Sequence, residues 1–447
     1  MRNSAPTESV DHGEKAASRT AVATLAGTTL EWYDFFLYGT AAALIFDKQF
    51  FPSLSPAAGT LASFGTLAVG FVARPLGGLV FGHFGDRIGR KATLVVSLLL
   101  MGVGSTLIGV IPNYDTIGYW APVLLVLLRI IQGIGLGGEG AGATLMSMEH
   151  APAGKRNLYA GFPQMGTPAG LVLANMVFLA TSTGMSDHAF TGWGWRIPFL
   201  MSFILVAAGL VIRLRVTESP SFNRALEQDH VVRFPLAEAF KVGLPRLGLT
   251  VLAVVANSAV AYVFMVFTLS YGTKHLDYEK RFLILSISAA AVLWFVSIPL
   301  WTRIADRYGR RTMFIGGSAA ILAWCIAFFP LLNTGNSALA VLALAGMGLI
   351  IPITHCVQGG IIADTFPVHV RYSGSSLILQ FGAVLGGGLA PTISTALLNA
   401  GHSSTGVTWY LVAMCAISLA GAIALFRVVP EGAPEPAARP APAVVKA

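Results

Sequence analysis

The chain has 447 residues, 55% of them hydrophobic and only 11% charged, with a mean hydropathy of +0.69. Soluble domains carry about 25% charged residues, so this composition excludes a soluble globular protein and indicates a polytopic membrane protein. A net charge of +8 raises nucleic acid as a partner, but the basic residues lie in short clusters between apolar runs, a pattern that membrane topology explains.

In chain order, the opening stretch MRNSAPTESVDHGEKAASRT (1–20) is polar and has no apolar h-region, so it predicts an unfolded cytoplasmic tail and no cleaved signal peptide. Twelve apolar stretches follow, near 21–46, 57–82, 92–112, 119–148, 158–181, 195–213, 246–271, 283–304, 312–332, 337–362, 374–400 and 406–428. Each is long enough to cross a bilayer, and in lipid each must satisfy its own backbone, which makes them α-helices. The fold class expected is all-α, with twelve transmembrane helices. Residues 430–447, rich in Ala and Pro, read as a second unfolded tail. Cys325, Cys356 and Cys415 lie in apolar stretches without ligand spacing, which implies neither a disulfide framework nor a metal site.

Span four contains QGIGLGGEGAG, with G-x-G-x-x-G at Gly133, Gly135 and Gly138. That pattern binds dinucleotides when it follows a strand, opens a helix and has an acid about 20 residues on. Here the flanks are WAPVLLVLLRII and AGATLMSM and the region near 153 reads PAGK, so no dinucleotide site is expected. Gly133, Gly137 and Ala141, and likewise Gly138 and Gly142, recur every four residues, which predicts a small-residue face for close helix packing.

Twenty-two of the 29 Lys and Arg residues fall in the tails and even-numbered loops and five in the odd loops, while Arg74 and Arg129 lie inside spans. Positive residues stay on the cytoplasmic side, so both termini are expected there. The long basic loop 214–245 divides the chain into six-helix bundles at 21–213 and 246–429. The halves repeat: GHFGDRIGRK (82–91) returns as TRIADRYGRR (302–311), and EHAPAGKRNLYAG (149–161) returns as DTFPVHVRYSG (364–374). Two parallel halves with a solute site between them near the midplane describe a major facilitator architecture.

The G-x-x-x-D-R-x-G-R-K motif of 82–91, and R-x-x-Q-G-x-G at Arg129, Gln132, Gly133 and Gly135, resemble the loop and span-four signatures of the major facilitator superfamily. EWYDFFLYG (31–39), ARPLGGLVFGHFGDRIGRK (73–91), LRIIQGIGLGGE (128–139), GWRIPF (194–199) and ESPSF (218–222) resemble its metabolite:proton symporter family. Gly140, where many members have Trp, and Thr302, in place of the first Gly of the repeated motif, depart from the pattern. The resemblance implies transport of shikimate, citrate, α-ketoglutarate, or proline and betaine.

Asp34 lies about 20 Å along span one at 1.5 Å per residue, near mid-membrane, where an ionisable group faces a cavity or a partner. Burial favours the protonated form of a carboxyl group and a nearby guanidinium the ionised form. Asp34 is therefore the expected proton carrier, with Arg129 as its switchable partner and Glu31 within 60° on the same helical face; a permanent structural pair is the alternative. Gly82, Asp86, Arg87, Gly89, Arg90 and Lys91, with Glu139, Glu149 and Arg156, are expected to form a cytoplasmic gate. Their C-terminal counterparts are Asp306, Arg307, Gly309, Arg310, Arg311, Asp364 and Arg371. In this reading Gly82 and Gly89 permit a tight turn.

Arg74 either binds an anionic solute bidentately or braces span two against span eleven. Gln164, Asn257, Tyr262, His355, Gln358 and Gln380 are candidate solute contacts, and interhelical bonding is their alternative role. No H-E-x-x-H, G-x-S-x-G or P-loop is present, so no enzyme, cofactor or metal site is expected. The function expected is import of a small organic acid with protons in a bacterial-type cytoplasmic membrane. Alternatives are a zwitterion symporter, an uncoupled facilitator or an efflux carrier. The partners expected are the solute, the proton and membrane lipid, without nucleic acid, in a chain that functions as a monomer.

Overall fold

The computed structural model describes residues 6–88, 90–137, 140–152, 155–214, 235–366 and 371–429. The side chains of 6–16, 82, 83, 85–88, 90, 91, 140, 141, 149, 156 and 235–243 lie outside that description. The described residues form helices and no strands. Ten spans are long and apolar enough to cross a membrane, and a shorter apolar helix, Ala92–Ile108, stands third in order. Span one belongs to a helix that begins at Pro6 and runs to Leu44. Residues 6–20, expected as an unfolded tail, continue that helix, as their Glu, Lys and Ala content permits.

Span two occupies Pro56–Ile88, span four Trp120–Gly137 and Gly140–Glu149, span five Arg156–Thr183 and span six Ile197–Leu214 after a short turn. In the second half, span seven runs Leu244–His275, span eight Lys280–Tyr308, span nine Arg310–Leu332, span ten Ser337–Asp364, span eleven Arg371–Gly401 and span twelve Thr405–Val428. Within the first half, span one packs on span five, span two on span four, and span three on spans four and six. The second half repeats the scheme, with span seven on eleven, span eight on ten, and span nine on ten and twelve. Across the halves, span two meets span eleven and span five meets span eight, the two pairings that the internal repeat relates to each other.

Close approach has a clear cause where spans two and four cross. A Cβ at Gly77 would overlap the carbonyl oxygen of Ile134, one at Gly133 the carbonyl of Gly70, and one at Gly137 the carbonyl of Arg74. In lipid no hydrophobic drive brings helices together, so van der Waals contact between such small residues must do it. Spans seven and eleven each carry a π-helical segment, Val263–Phe267 and Ala383–Gly388, a feature common at functional sites.

The expectation that Gly82 forms a turn is corrected: the span-two helix continues through it to Ile88, and Gly89 lies outside the described residues. In the second half the turn does rest on glycine. Gly309 has φ 83°, follows Tyr308 at the end of span eight, and donates its N–H to the Ala305 carbonyl at 2.9 Å.

Candidate functional site

A cavity lies between the halves, lined from the first by Glu31, Trp32, Arg74 and Gln164, and from the second by Asn257, Tyr262, Trp294, His355 and Gln358, among others. It offers about 110 Å³ to the centres of water-sized molecules. That is well above the roughly 10–15 Å³ needed to hold one water, so the cavity has room for a small solute.

Span one distributes its aromatic-acidic motif over several neighbours by helical rotation. Thr28, Glu31, Trp32 and Phe36 face the cavity. The Tyr33 hydroxyl instead donates to the Pro198 carbonyl at 2.8 Å, and Asp34 accepts from Ser202 at 2.5 Å, both toward span six. Phe35 and Tyr38 hold the Arg129 guanidinium at 4.5 and 3.8 Å from their ring centres. Arg129 donates to Gln132 at 2.9 Å, and its Nε and Nη2 have no hydrogen-bond partner. Asp34 and Arg129 do not form an ion pair in this state. The 60° between Glu31 and Asp34 is enough to place one on the cavity and the other inside the first bundle.

Several cavity groups satisfy each other. Asn257 donates to Gln358 at 2.5 Å and accepts from Thr354 at 2.9 Å. Five others do not: Glu31 Oε2, Arg74 Nη1, Tyr262 Oη, Trp294 Nε1 and His355 Nδ1 are buried without a hydrogen-bond partner. Buried polar atoms are nearly always paired, so these five leave unused hydrogen-bonding capacity on one cavity. Trp294 escaped the sequence reading. Its signal was a tryptophan deep inside an apolar span, away from the interfacial belts this residue prefers.

Gln380 does not line the cavity. It accepts from Arg74 Nε at 2.8 Å and donates to the Gly137 carbonyl at 3.0 Å, bridging span eleven to spans two and four. Nearer the loop motifs, Leu145, Met148, Ala160, Ala363 and Tyr372 form an apolar plug drawn from both halves. Beyond it, Asn157 donates to Asp306 at 2.6 Å and accepts from Arg310 Nε at 2.7 Å, while Arg310 pairs with Asp364 at 2.5 Å. Asn157 was not anticipated; it follows Arg156 in the repeated loop, where Tyr372 of the plug stands in the second copy.

Arg371 donates to the Phe366 carbonyl at 3.3 Å, Arg307 lies 5.5 Å over the Tyr308 ring, and Arg311 is exposed. Glu139 lies outside the described residues, as do the side chains of Asp86, Arg87, Arg90, Lys91, Ala141, Glu149 and Arg156. At the opposite face Lys274 of span seven pairs with Asp47 at 2.7 Å and donates to Thr60 at 2.9 Å. Contacts between the halves therefore lie on both sides of the cavity.

Residues 24–391 match the Major Facilitator Superfamily. The chain is 40% identical over 408 residues to the inner membrane metabolite transport protein YhjE of Escherichia coli (strain K12), covering 90% of this chain and 92% of that protein. It is 38% identical to the shikimate transporter of the same organism, covering 90% and 93% of the two chains. It is 32% identical to the E. coli proline/betaine transporter, covering 92% and 83%. Among solved structures, the proton:xylose symporter XylE bound to 6-bromo-6-deoxy-D-glucose superposes with a TM-score of 0.75 at 17% identity, covering 94% of this chain and 97% of that one. The repeated halves, the cavity between them and these matches along nearly the whole length make one conclusion: the chain belongs to the major facilitator superfamily, as an integral membrane transporter of metabolites and not an enzyme.

Proposed function

We propose that this protein imports a small organic acid together with protons by alternating access, across a bacterial cytoplasmic membrane and with both termini inside. The observation that carries the reading is Arg74, a buried guanidinium on the cavity wall with Nη1 unpaired. A carboxylate is the group that a planar fork of donors fits best. Asp34 carries the proton, and Arg129 is the cation that pairs with it in another state of the cycle. Two unpaired nitrogens on Arg129 and a hydroxyl-bonded Asp34 support that role, since each group has a provisional partner it can leave. The paired loop motifs act as the cytoplasmic gate, and one chain holds the whole pathway and works as a monomer.

A second reading has its own support. Glu31 Oε2 is unpaired on the same cavity, beside the rings of Trp32, Tyr262 and Trp294. An aromatic-walled carboxylate suits the cationic end of a zwitterion, and one of the relatives is a proline/betaine transporter.

The test is reconstitution in liposomes with a trapped pH dye. Shikimate, citrate, α-ketoglutarate, small monocarboxylates, proline and betaine are added in turn to wild type and to Asp34→Asn. Lumenal acidification by one acid, lost in the variant, is the expected result. Acidification by betaine or proline alone selects the second reading. Tracer entry without proton flux rejects symport, and full proton-driven uptake by Asp34→Asn rejects Asp34 as the carrier.

A further inference from the structure

Arg74 belongs to two places at once. Its Nη1 faces the cavity without a partner, while its Nε donates to Gln380, its one hydrogen-bond partner among the described residues. Phe35 and Phe71 lie 5.9 and 5.4 Å from the guanidinium, so its sides are bounded by rings and its polar anchor is the amide. Gln380 is 1% exposed, and its other end is fixed on the Gly137 carbonyl of span four. The neighbouring Ser376 donates to the same carbonyl at 3.4 Å. Gly78 of span two meets both residues closely, its position for a Cβ being 3.2 Å from Ser376 Oγ and 3.4 Å from Gln380 Cγ. The contacts of Gln380 and Ser376 with Arg74, Gly78 and Gly137 join the second half to the first on the loop-motif side of the cavity. In this structure that side is closed by the Leu145–Tyr372 apolar cluster and by the Asn157–Asp306 hydrogen bond.

We propose that Gln380 is a positioning residue that makes affinity for the solute depend on closure of the inner face. With span eleven in place, Gln380 aims the Arg74 fork at the cavity and the acid binds tightly. When span eleven withdraws, the guanidinium loses its anchor, the fork is no longer held, and the acid leaves. Linkage makes the effect reciprocal: an acid held by Arg74 must favour the closed inner face by the same factor. The inference rests on the reading above that an organic acid binds Arg74.

The full chain in lipid nanodiscs supplies the test. Spin labels at Ala92→Cys and Arg427→Cys, exposed positions at the loop-motif ends of spans three and twelve, report inner-face separation by pulsed electron resonance. The three native cysteines are buried and stay unlabelled. Shikimate, citrate and α-ketoglutarate are the probes, added singly, with binding measured by calorimetry. In wild type one acid binds and raises the closed fraction. In Gln380→Leu its affinity falls about tenfold, the scale of one charge-assisted hydrogen bond, and the acid no longer shifts the distances.

Without solute, Arg74→Leu opens the inner face, Gln380→Leu opens it at least as far because it also loses the bond to the Gly137 carbonyl, and the double variant opens it no further than Gln380→Leu, because the Arg74–Gln380 bond is shared and its loss does not add. Gln380→Asn, which keeps the amide but is one methylene shorter, moves in the same direction and covers the case in which leucine disturbs packing. Wild-type affinity and a retained shift in both Gln380 variants overturn the proposal while leaving the acid reading intact. If no acid binds wild type, yet the solute-free variants behave as described, the acid reading is what fails, and the proposal falls with it.

Discussion

Arg129 shows how a single buried cation is kept both stable and available. Its guanidinium lies 4.5 Å from the Phe35 ring and 3.8 Å from Tyr38, and a Cβ at Gly70 would lie 2.9 Å from its Nε, so the glycine leaves room for it. Ring faces attract a desolvated cation by roughly 2 kcal/mol without using up its donors, and Nε and Nη2 have no hydrogen-bond partner. A lysine ammonium is more strongly hydrated and cannot stack, so Arg129→Lys is expected to lower proton-driven uptake at least about tenfold at unchanged membrane expression. Uptake at the wild-type rate would show that charge alone is required. Trp294 makes a narrower test. Trp294→Phe keeps an aromatic ring and removes the unpaired N–H on the cavity together with the five-membered part of the indole. If the solute accepts from that group, KM rises about tenfold with kcat nearly unchanged; an unchanged KM removes Trp294 from solute recognition.

Among the helices, spans two and four cross backbone against backbone, and the glycines of that crossing differ from others in the chain. Gly137 has the Arg74 carbonyl where a Cβ would stand, whereas Gly248 of span seven has nothing within 4 Å. Gly137→Ala therefore has to push two backbones apart, at a cost of about 1–3 kcal/mol, and it displaces the carbonyl that Gln380 and Ser376 use. Gly248→Ala meets open space and gains helix propensity of up to about 1 kcal/mol. Thermal unfolding in detergent should rank Gly137→Ala below wild type and Gly248→Ala at or above it. Equal transitions for the two would mean that the crossing is more yielding than its geometry implies.

For the molecule as a whole, polar contacts between the halves stand at both faces. Lys274 pairs with Asp47 on one side, and Asn157 links Asp306 and Arg310 on the other. The Lys274 and Asp47 side chains retain 29% and 10% exposure, and partly exposed pairs contribute on the order of 1 kcal/mol or less. On the proposed gate reading, a contact of that strength biases the cycle without trapping it. Lys274→Met should shift populations two- to fivefold toward opening at its own face, and Asn157→Leu by a similar factor toward opening at the loop-motif face. Label pairs spanning each face read the two shifts, and movement of both variants in one direction would refute opposed latches.

The apolar spans were legible in the sequence because lipid forces each apolar run to satisfy its own backbone, whereas the helices of spans one and two reach beyond those runs, to Pro6 and to Ile88. The repeat was legible because D-R-x-G-R and the acid-Pro-Arg spacing survive in both halves. The glycine face of span four could be read from its four-residue period, though not that it meets span two. Side-chain direction was another matter. Glu31 and Asp34 are separated by 60° around one helix, and only the neighbours decide that one meets the cavity and the other Ser202. Gln380 looked like any polar residue in a span until span eleven was set against spans two and four. The sequence by itself determined the spans, their division into repeating halves and the ionisable residues placed within them, since hydropathy and spacing act locally along the chain. Which of those residues share the cavity, and which bond across the halves, was decided by the tertiary structure, because those contacts depend on the rotation and closeness of helices hundreds of residues apart.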